Sequence, residues 1–265
     1  MPEGIEIEMY RRAAASTVGR TIASLEITDP RYPRHGVAPE AIAAAATGAE
    51  VSAVRRVGKL LLMDLDTATL GMRFGMTGRL IVDDAAPIER LEYSSARDDP
   101  TWDRVVLTFT DGGSLRIRDQ RRLGSIELDP DETVLGPDAA GVDATTLADV
   151  LGASSRPLKG RLLDQHAIAG LGNLLCDEIC WRAGVHPSIP ADELGPDEVA
   201  TLAETIRATF AELTERGGSH TGDLQSERHR DGRCPIDGTP LERHTLAGRT
   251  TYACPVHQRR REGKR

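Results

Sequence analysis

The sequence predicts an α+β protein, in which an N-terminal helix and a β-sandwich precede a helical half that ends in a small ribbon. Three observations carry this reading. After one stretch of helical periodicity, the first half turns to short segments rich in Val, Ile, Leu and Thr, cut by Gly, Asp and Pro, the pattern of strands in a sandwich or barrel. Beyond an irregular acidic stretch the helical period returns. The tail then repeats a Cys-Pro-x-x unit twice, the mark of a small metal-bound ribbon.

In chain order, residues 3–18 carry a helix pattern that stops at Gly19. Strands are predicted near 21–28, 49–57, 59–66, 68–75, 78–83, 104–110 and 114–119, with a small helix at 41–46. Residues 128–142 (LDPDETVLGPDAAGV) are acidic, contain Pro and Gly and lack a period, so they read as a linker. Helices follow near 145–151, 159–165, 173–183 and 197–215, the last closed by Gly217-Gly218. The tail at 233–258 reads as two short hairpin-like halves with one cysteine each. The expected domains are 1–130, 131–224 and 225–265.

A chain of 265 residues can bury a real core in each of two modest domains. Its longest apolar run is Leu60 to Met63, so neither a signal peptide nor a membrane span is expected. Four cysteines are too few for a secreted disulfide framework, which points to a reducing cytoplasm. The net charge of −8 argues mildly against nucleic acid as a partner, but its distribution matters more than the sum. From Arg216 to Arg265 eleven Lys/Arg face six acidic residues, so a basic end sits on an acidic body. Only three of the 33 basic residues are lysines, Lys59, Lys159 and Lys264.

Pro2 followed by Glu3 would expose a secondary amine beside a carboxylate once Met1 is removed, a nucleophile with an acid/base at its side. Taken alone, the pair also fits an ordinary helix start. Cys234-Pro-Ile-Asp237 and Cys254-Pro-Val-His257 repeat a ligand-x-x-ligand spacing sixteen residues apart, which can bring Cys234, Asp237, Cys254 and His257 onto one tetrahedral Zn2+. His229 or His244 can replace Asp237 in that set, and a metal-free hairpin with two cysteines as small apolar fillers is the bland alternative. Gly170-Leu171-Gly172-Asn173 opens a helix whose free N–H groups suit a phosphate, although Asn173 also serves as a plain cap there. Cys176 and Cys180, four apart on that helix, read as core contacts.

Six stretches stand in one order: Pro2-Glu3-Gly4, Gly58-Lys59-Leu60-Leu61, Arg73-Phe74-Gly75-Met76-Thr77-Gly78, Asp119-Gln120-Arg121-Arg122-Leu123-Gly124, Leu162-Leu163-Asp164-Gln165 leading into Gly170-Leu171-Gly172-Asn173, and Gly248-Arg249-Thr250-Thr251. In that order they resemble the formamidopyrimidine-DNA glycosylase/endonuclease VIII family of helix-two-turn-helix base-excision enzymes, over nearly the whole chain. The resemblance implies a β-sandwich joined to a helix-two-turn-helix domain with a zinc-ribbon hairpin, and DNA in the cleft between. It implies a monomeric DNA glycosylase/AP lyase of the cytoplasm, associated with the nucleoid, whose partner is damaged double-stranded DNA.

By the same resemblance Pro2 is the nucleophile, Glu3 the acid/base, Glu6 a second pocket carboxylate and Lys59 the hairpin lysine beside the lesion phosphate. Lys159, Asn173 and Arg249 match phosphate contacts. Met76, Arg121 and Leu123 match the side chains that enter the space left by an everted nucleotide. Ile5 stands where the family usually has proline, Leu123 where many relatives have phenylalanine, and Asp237 where a zinc cysteine is usual. The short run between Gly218 and Arg228 looks more like endonuclease VIII, which tilts the expected substrate toward oxidised pyrimidines. A catalytically weak lesion sensor of the same fold is the rival reading.

Overall fold

The computed structural model describes residues 2–88, 91, 97, 99–258 and 260. Two compact units divide at 132/133, except that residues 3–5 belong with the second.

The first unit begins with α1 (Gly4–Ala14), extended by a single tight turn to Thr17 and ended by Gly19 at φ 83°. Eight strands follow: β1 (Ile22–Ile27), β2 (Val51–Val57), β3 (Leu60–Leu65), β4 (Thr69–Arg73), β5 (Arg79–Val82), β6 (Asp103–Phe109), β7 (Ser114–Arg118) and β8 (Ser125–Leu128), with α2 (Pro39–Ala46) between β1 and β2. They form two open antiparallel sheets, β1-β6-β7-β5 and β2-β3-β4-β8. The period-two pattern does the sorting, since Val105, Leu107 and Phe109 of β6 point inward while Arg104, Val106 and Thr108 do not. Leu61, Met63, Leu70 and Met72 answer them from the other sheet, and Ile7, Tyr10 and Ala14 of α1 join the same core. Each such burial is worth roughly 1.5–3 kcal/mol.

The irregular linker expected from residue 128 begins later than its sequence suggests. Ser125–Leu128 is strand β8, paired with β4 through Leu70↔Leu128 and Arg73↔Ser125. Its buried Glu127 hid it, because a carboxylate in a strand core reads as a loop residue. Arg73 satisfies that carboxylate at 2.8 Å.

The second unit holds α3 (Ala144–Gly152), α4 (Leu158–Leu162), α5 (Asn173–Arg182) and α6 (Pro196–Arg216), then the hairpin β9 (Glu242–Leu246) and β10 (Arg249–Ala253). Pro196 opens α6, Glu198 caps the Gly195 amide at 2.8 Å, and Gly217 ends the helix at φ 103°. Eight of the ten α5 residues are buried, which is the profile of a helix enclosed on every side. The tail is one hairpin rather than two halves. Its cysteines sit in the turns before and after it, where Gly238 N–H donates to the Cys234 carbonyl and Gln258 N–H to that of Cys254. Among the described residues no helix is long and apolar enough to cross a membrane.

Candidate functional site

In the first unit Pro2 lies buried just ahead of α1, while Met1 lies outside the described residues. Glu6 is buried in the first turn of that helix. One turn on, Glu8 takes Arg11 at 2.8 Å and Arg56 at 3.3 Å. Burial pushes the Glu8 carboxyl up, but those two guanidiniums outweigh it and hold it below the ordinary value. Arg56 in turn donates to the Gly58 carbonyl at 3.0 Å. Gly58, at φ 57°, opens the two-residue turn between β2 and β3 that carries half-buried Lys59. A chain of charge therefore ties the lysine turn to the helix that follows Pro2.

Met76, Arg121 and Leu123 come together on two facing loops. Arg121 Nη1 lies 3.7 Å from Met76 Sδ, and Leu123 is 45 % exposed rather than packed in the core. Asp119, wholly buried, builds this pair of loops: it accepts from Thr77 Oγ1 at 2.7 Å, from Gly124 N at 2.8 Å and from Tyr32 Oη at 3.4 Å. Thr77 follows Met76 and Gly124 follows Leu123, so one carboxylate holds both loops. Gly75 is required here. At φ 55° it brings the loops so close that a Cβ would stand 2.5 Å from the Leu123 carbonyl.

In the second unit the Glu3 carboxylate is fully buried and accepts from Leu174 N at 2.9 Å and Leu175 N at 3.1 Å. It thus occupies the N-terminus of α5, where free N–H groups and the helix dipole favour an anion. Glycine at 172 makes this possible, since a Cβ there would meet the carboxylate at 2.2 Å. Asn173 opens the helix with its Oδ1 buried and unpartnered. Arg249 is exposed at the start of β10, beside the tip residues Ala247 and Gly248 at φ 47° and 70°.

Lys159 departs from its expected role. Its side chain has no exposed surface, and its ammonium meets Asp177 Oδ1 at 2.7 Å, Thr251 Oγ1 at 2.9 Å and the Thr250 carbonyl at 3.1 Å. Three donors with three partners leave nothing for a phosphate, so Lys159 fastens β10 to α5 instead. Asp177 is shared with Arg228 at 2.9 Å. Neighbouring Glu178, also fully buried, accepts from Asp223 N at 2.9 Å and Leu224 N at 3.0 Å, folding the short run after Gly218 against α5. The sequence signal for both was present: acids inside an otherwise apolar helix (LLCDEICW) must be paired. Burial, with Asp177 nearby, pushes the Cys180 thiol up to about 12, in keeping with Cys180 as a core contact.

Of the four expected metal ligands, Cys234, Asp237 and Cys254 gather with ligand atoms within 4.8 Å of one another. Cys254 Sγ and Asp237 Oδ2 are 3.3 Å apart, close to the edge of about 3.5 Å that zinc–sulfur and zinc–oxygen bonds imply for a tetrahedron. The Thr239 amide holds the Asp237 carboxyl down at about 2. His257 stands outside that trio with Nε2 2.8 Å from the Trp181 carbonyl. His229 is largely exposed beside Glu227, and His244 stacks on His186 at 5.9 Å.

Residues 1–126 match the family model described as the formamidopyrimidine-DNA glycosylase N-terminal domain, and residues 135–225 match the formamidopyrimidine-DNA glycosylase H2TH domain. With the sandwich and the helical unit that follows it, these matches define a DNA glycosylase of the helix-two-turn-helix class. The chain is 35 % identical to a formamidopyrimidine-DNA glycosylase of Geobacillus kaustophilus, over 98 % of this chain and all of that one. For the Bacillus subtilis enzyme of the same name the identity is 32 %, over 96 % and 98 %. A solved structure of Lactococcus lactis Fpg with DNA containing N7-benzyl-Fapy-dG superposes with a TM-score of 0.81 at 26 % identity, over 98 % of this chain and 100 % of that one. The chain belongs to the formamidopyrimidine-DNA glycosylase/endonuclease VIII family. It is a base-excision repair glycosylase for oxidised bases, and its partner is damaged DNA.

Proposed function

We propose that the chain is a bifunctional DNA glycosylase/AP lyase that works through the Pro2 amine after Met1 is removed. The observation that carries this is Glu3, whose peptide neighbour is Pro2 and whose carboxylate is fixed by the Leu174 and Leu175 amides. A secondary amine attacks the sugar C1′, the bond from C1′ to the base breaks, and the base leaves with a proton. The sugar ring then opens as the C1′–O4′ bond breaks and O4′ takes a proton. The resulting iminium draws electrons from C2′–H, so a base can remove the C2′ proton and expel the 3′ phosphate. Glu3 and Glu6 are the carboxylates assigned to proton transfer and to the pocket. Lys59, Asn173 and Arg249 hold phosphates, while Met76, Arg121 and Leu123 fill the space of the everted nucleotide.

Oxidised pyrimidines are the favoured substrates in this reading. The support is the folded-back run after Gly218, whose Asp223 and Leu224 amides are already bonded to Glu178 and so are not free to cover a bulky purine. The relatives' name and the Fapy-dG complexes favour ring-opened purines instead. A borohydride-trapping panel decides between them, using duplexes with thymine glycol, dihydrouracil, 8-oxoguanine, a formamidopyrimidine and an abasic site. Trapping that depends on Pro2 and is strongest on the pyrimidine lesions supports the proposal. Binding without trapping on any lesion would leave a lesion sensor.

We assign one structural Zn2+ to Cys234, Asp237, Cys254 and His257, a set of the right charge and donor type. When bound, the ion cross-links the two turns that flank the β9–β10 hairpin. A chromosomal DNA substrate calls for an enzyme of the cytoplasm, associated with the nucleoid, in this reading.

A further inference from the structure

Trp181, in the last turn of α5, touches both cysteine-bearing turns of the ribbon. Its indole Nε1–H donates to Cys234 Sγ at 3.4 Å, and its carbonyl accepts from His257 Nε2 at 2.8 Å. The two rings lie 5.9 Å apart, and the indole is enclosed with Cys234, Cys254, Leu224, Leu241 and Tyr252.

A carbonyl oxygen can only accept, so the His257 proton must sit on Nε2 and the lone pair is left on Nδ1. Metal-bound histidines commonly donate their second ring N–H to a carbonyl in this way, which fixes tautomer and ring orientation. The carbonyl is also well chosen, because it lies at the C-terminal end of a helix, the end that favours a proton donor. At the first turn the indole N–H offers a thiolate the hydrogen bond that its negative charge calls for. Backbone organises the second turn further, as His257 N–H donates to Cys254 Sγ at 3.2 Å.

We propose that Trp181 is the positioning residue of the metal centre, holding Cys234 with its side chain and His257 with its backbone so that the ion is taken by His257 Nδ1. This rests on the metal assignment above. Its consequence is that α5, rather than the ribbon alone, sets the geometry of a site in which only two of the four ligands are thiolates. Cys234, Asp237 and Cys254 stand near their places before the ion arrives, which lowers the ordering cost of capture.

The test uses the full-length protein stripped of metal and titrated with Zn2+ or 113Cd2+. The chain has two tryptophans, so the indole N–H signals are two, and Trp102→Phe assigns them. On metal loading the Trp181 indole signal should shift and split with 113Cd through the N–H···S bond. In 15N spectra His257 should appear as an Nε2-protonated, Nδ1-ligated ring. In chelator competition Trp181→Phe should bind zinc on the order of ten-fold more weakly. Stoichiometric metal with an unmoved indole signal overturns the positioning role and leaves the metal assignment standing. No metal uptake by the unaltered protein overturns both. Should Trp181→Phe fail to fold, the two spectroscopic readouts on the unaltered chain still decide.

Discussion

Lys159 Nζ and Asp177 Oδ1 stand 2.7 Å apart, with neither side chain exposed to solvent. Removing one partner of a buried pair leaves the other charge uncompensated, at about 3–5 kcal/mol. Lys159→Met should therefore lower the urea midpoint sharply, and Asp177→Ala more so, because Arg228 also loses its carboxylate. A phosphate contact predicts something else: normal stability, and a salt dependence of DNA binding shallower by about one ion. Stable Lys159→Met protein with that reduced slope would overturn the fastening role.

Asp119 makes a second prediction possible. Asp119→Ala strands the Thr77 hydroxyl and the Gly124 amide, at about 1–3 kcal/mol for each buried group, and releases both loops that carry Met76, Arg121 and Leu123. On a fully paired duplex kcat/KM should fall at least ten-fold, while a lesion in a mismatch or bulge, already partly unstacked, should suffer much less. An equal loss on both substrates would mean that the loops do not serve eversion.

How far these sites were legible in the sequence depends on whether a residue acts along the chain or across it. The strands near 21–28, 104–110 and 114–119 announced themselves by alternation, and β1, β6 and β7 fall within a residue or two of those bounds. Glycine-bounded turns placed Met76 and Leu123 at the surface for a local reason, the φ and close approach of Gly75. Strand β8 and the role of Lys159 were not legible. Each depends on a buried charge paired with a residue distant in sequence, Glu127 with Arg73 and Lys159 with Asp177. Nothing in local periodicity says which charges will be paired and buried.

Glu3 has two duties, and they should separate by measurement. Glu3→Gln keeps one carbonyl acceptor but sets an NH2 group against an N–H donor and removes the negative charge from the start of α5. The stability cost should be about 1 kcal/mol, the scale of a lost helix cap. Borohydride-trapped complex should fall far more, by about 100-fold or beyond, the range of a lost general acid/base. If trapping on abasic DNA survives in folded Glu3→Gln protein, Glu3 is a helix cap and the proton transfer belongs elsewhere.

The last prediction concerns acid. His186 is fully buried, stacked 5.9 Å from His244, with Arg260 Nε 3.2 Å from its Nε2 and Ser188 Oγ 2.6 Å from its Nδ1. Burial first, then the charges of Arg260 and His244, pull its pKa from 6.5 to about 4, and burial lowers that of His244 too. Between those values the unfolded chain binds a proton that the folded one refuses, so stability is full above pH 6.5 and drains away as pH falls toward 4. The paired carboxylates do the opposite of competing in this window. Glu8 and Glu212, with ordinary values of 4.5, are held lower still by arginines, so their contributions are lost only below that pH. Urea unfolding at pH 7.0 and pH 4.8 should therefore differ by on the order of 2 kcal/mol, with Glu242 near His186 tempering the loss. In His186→Gln protein, which has no proton to gain there, the difference should shrink to the smaller share of His244. An unchanged pH dependence in that variant would move the acid sensitivity to another group.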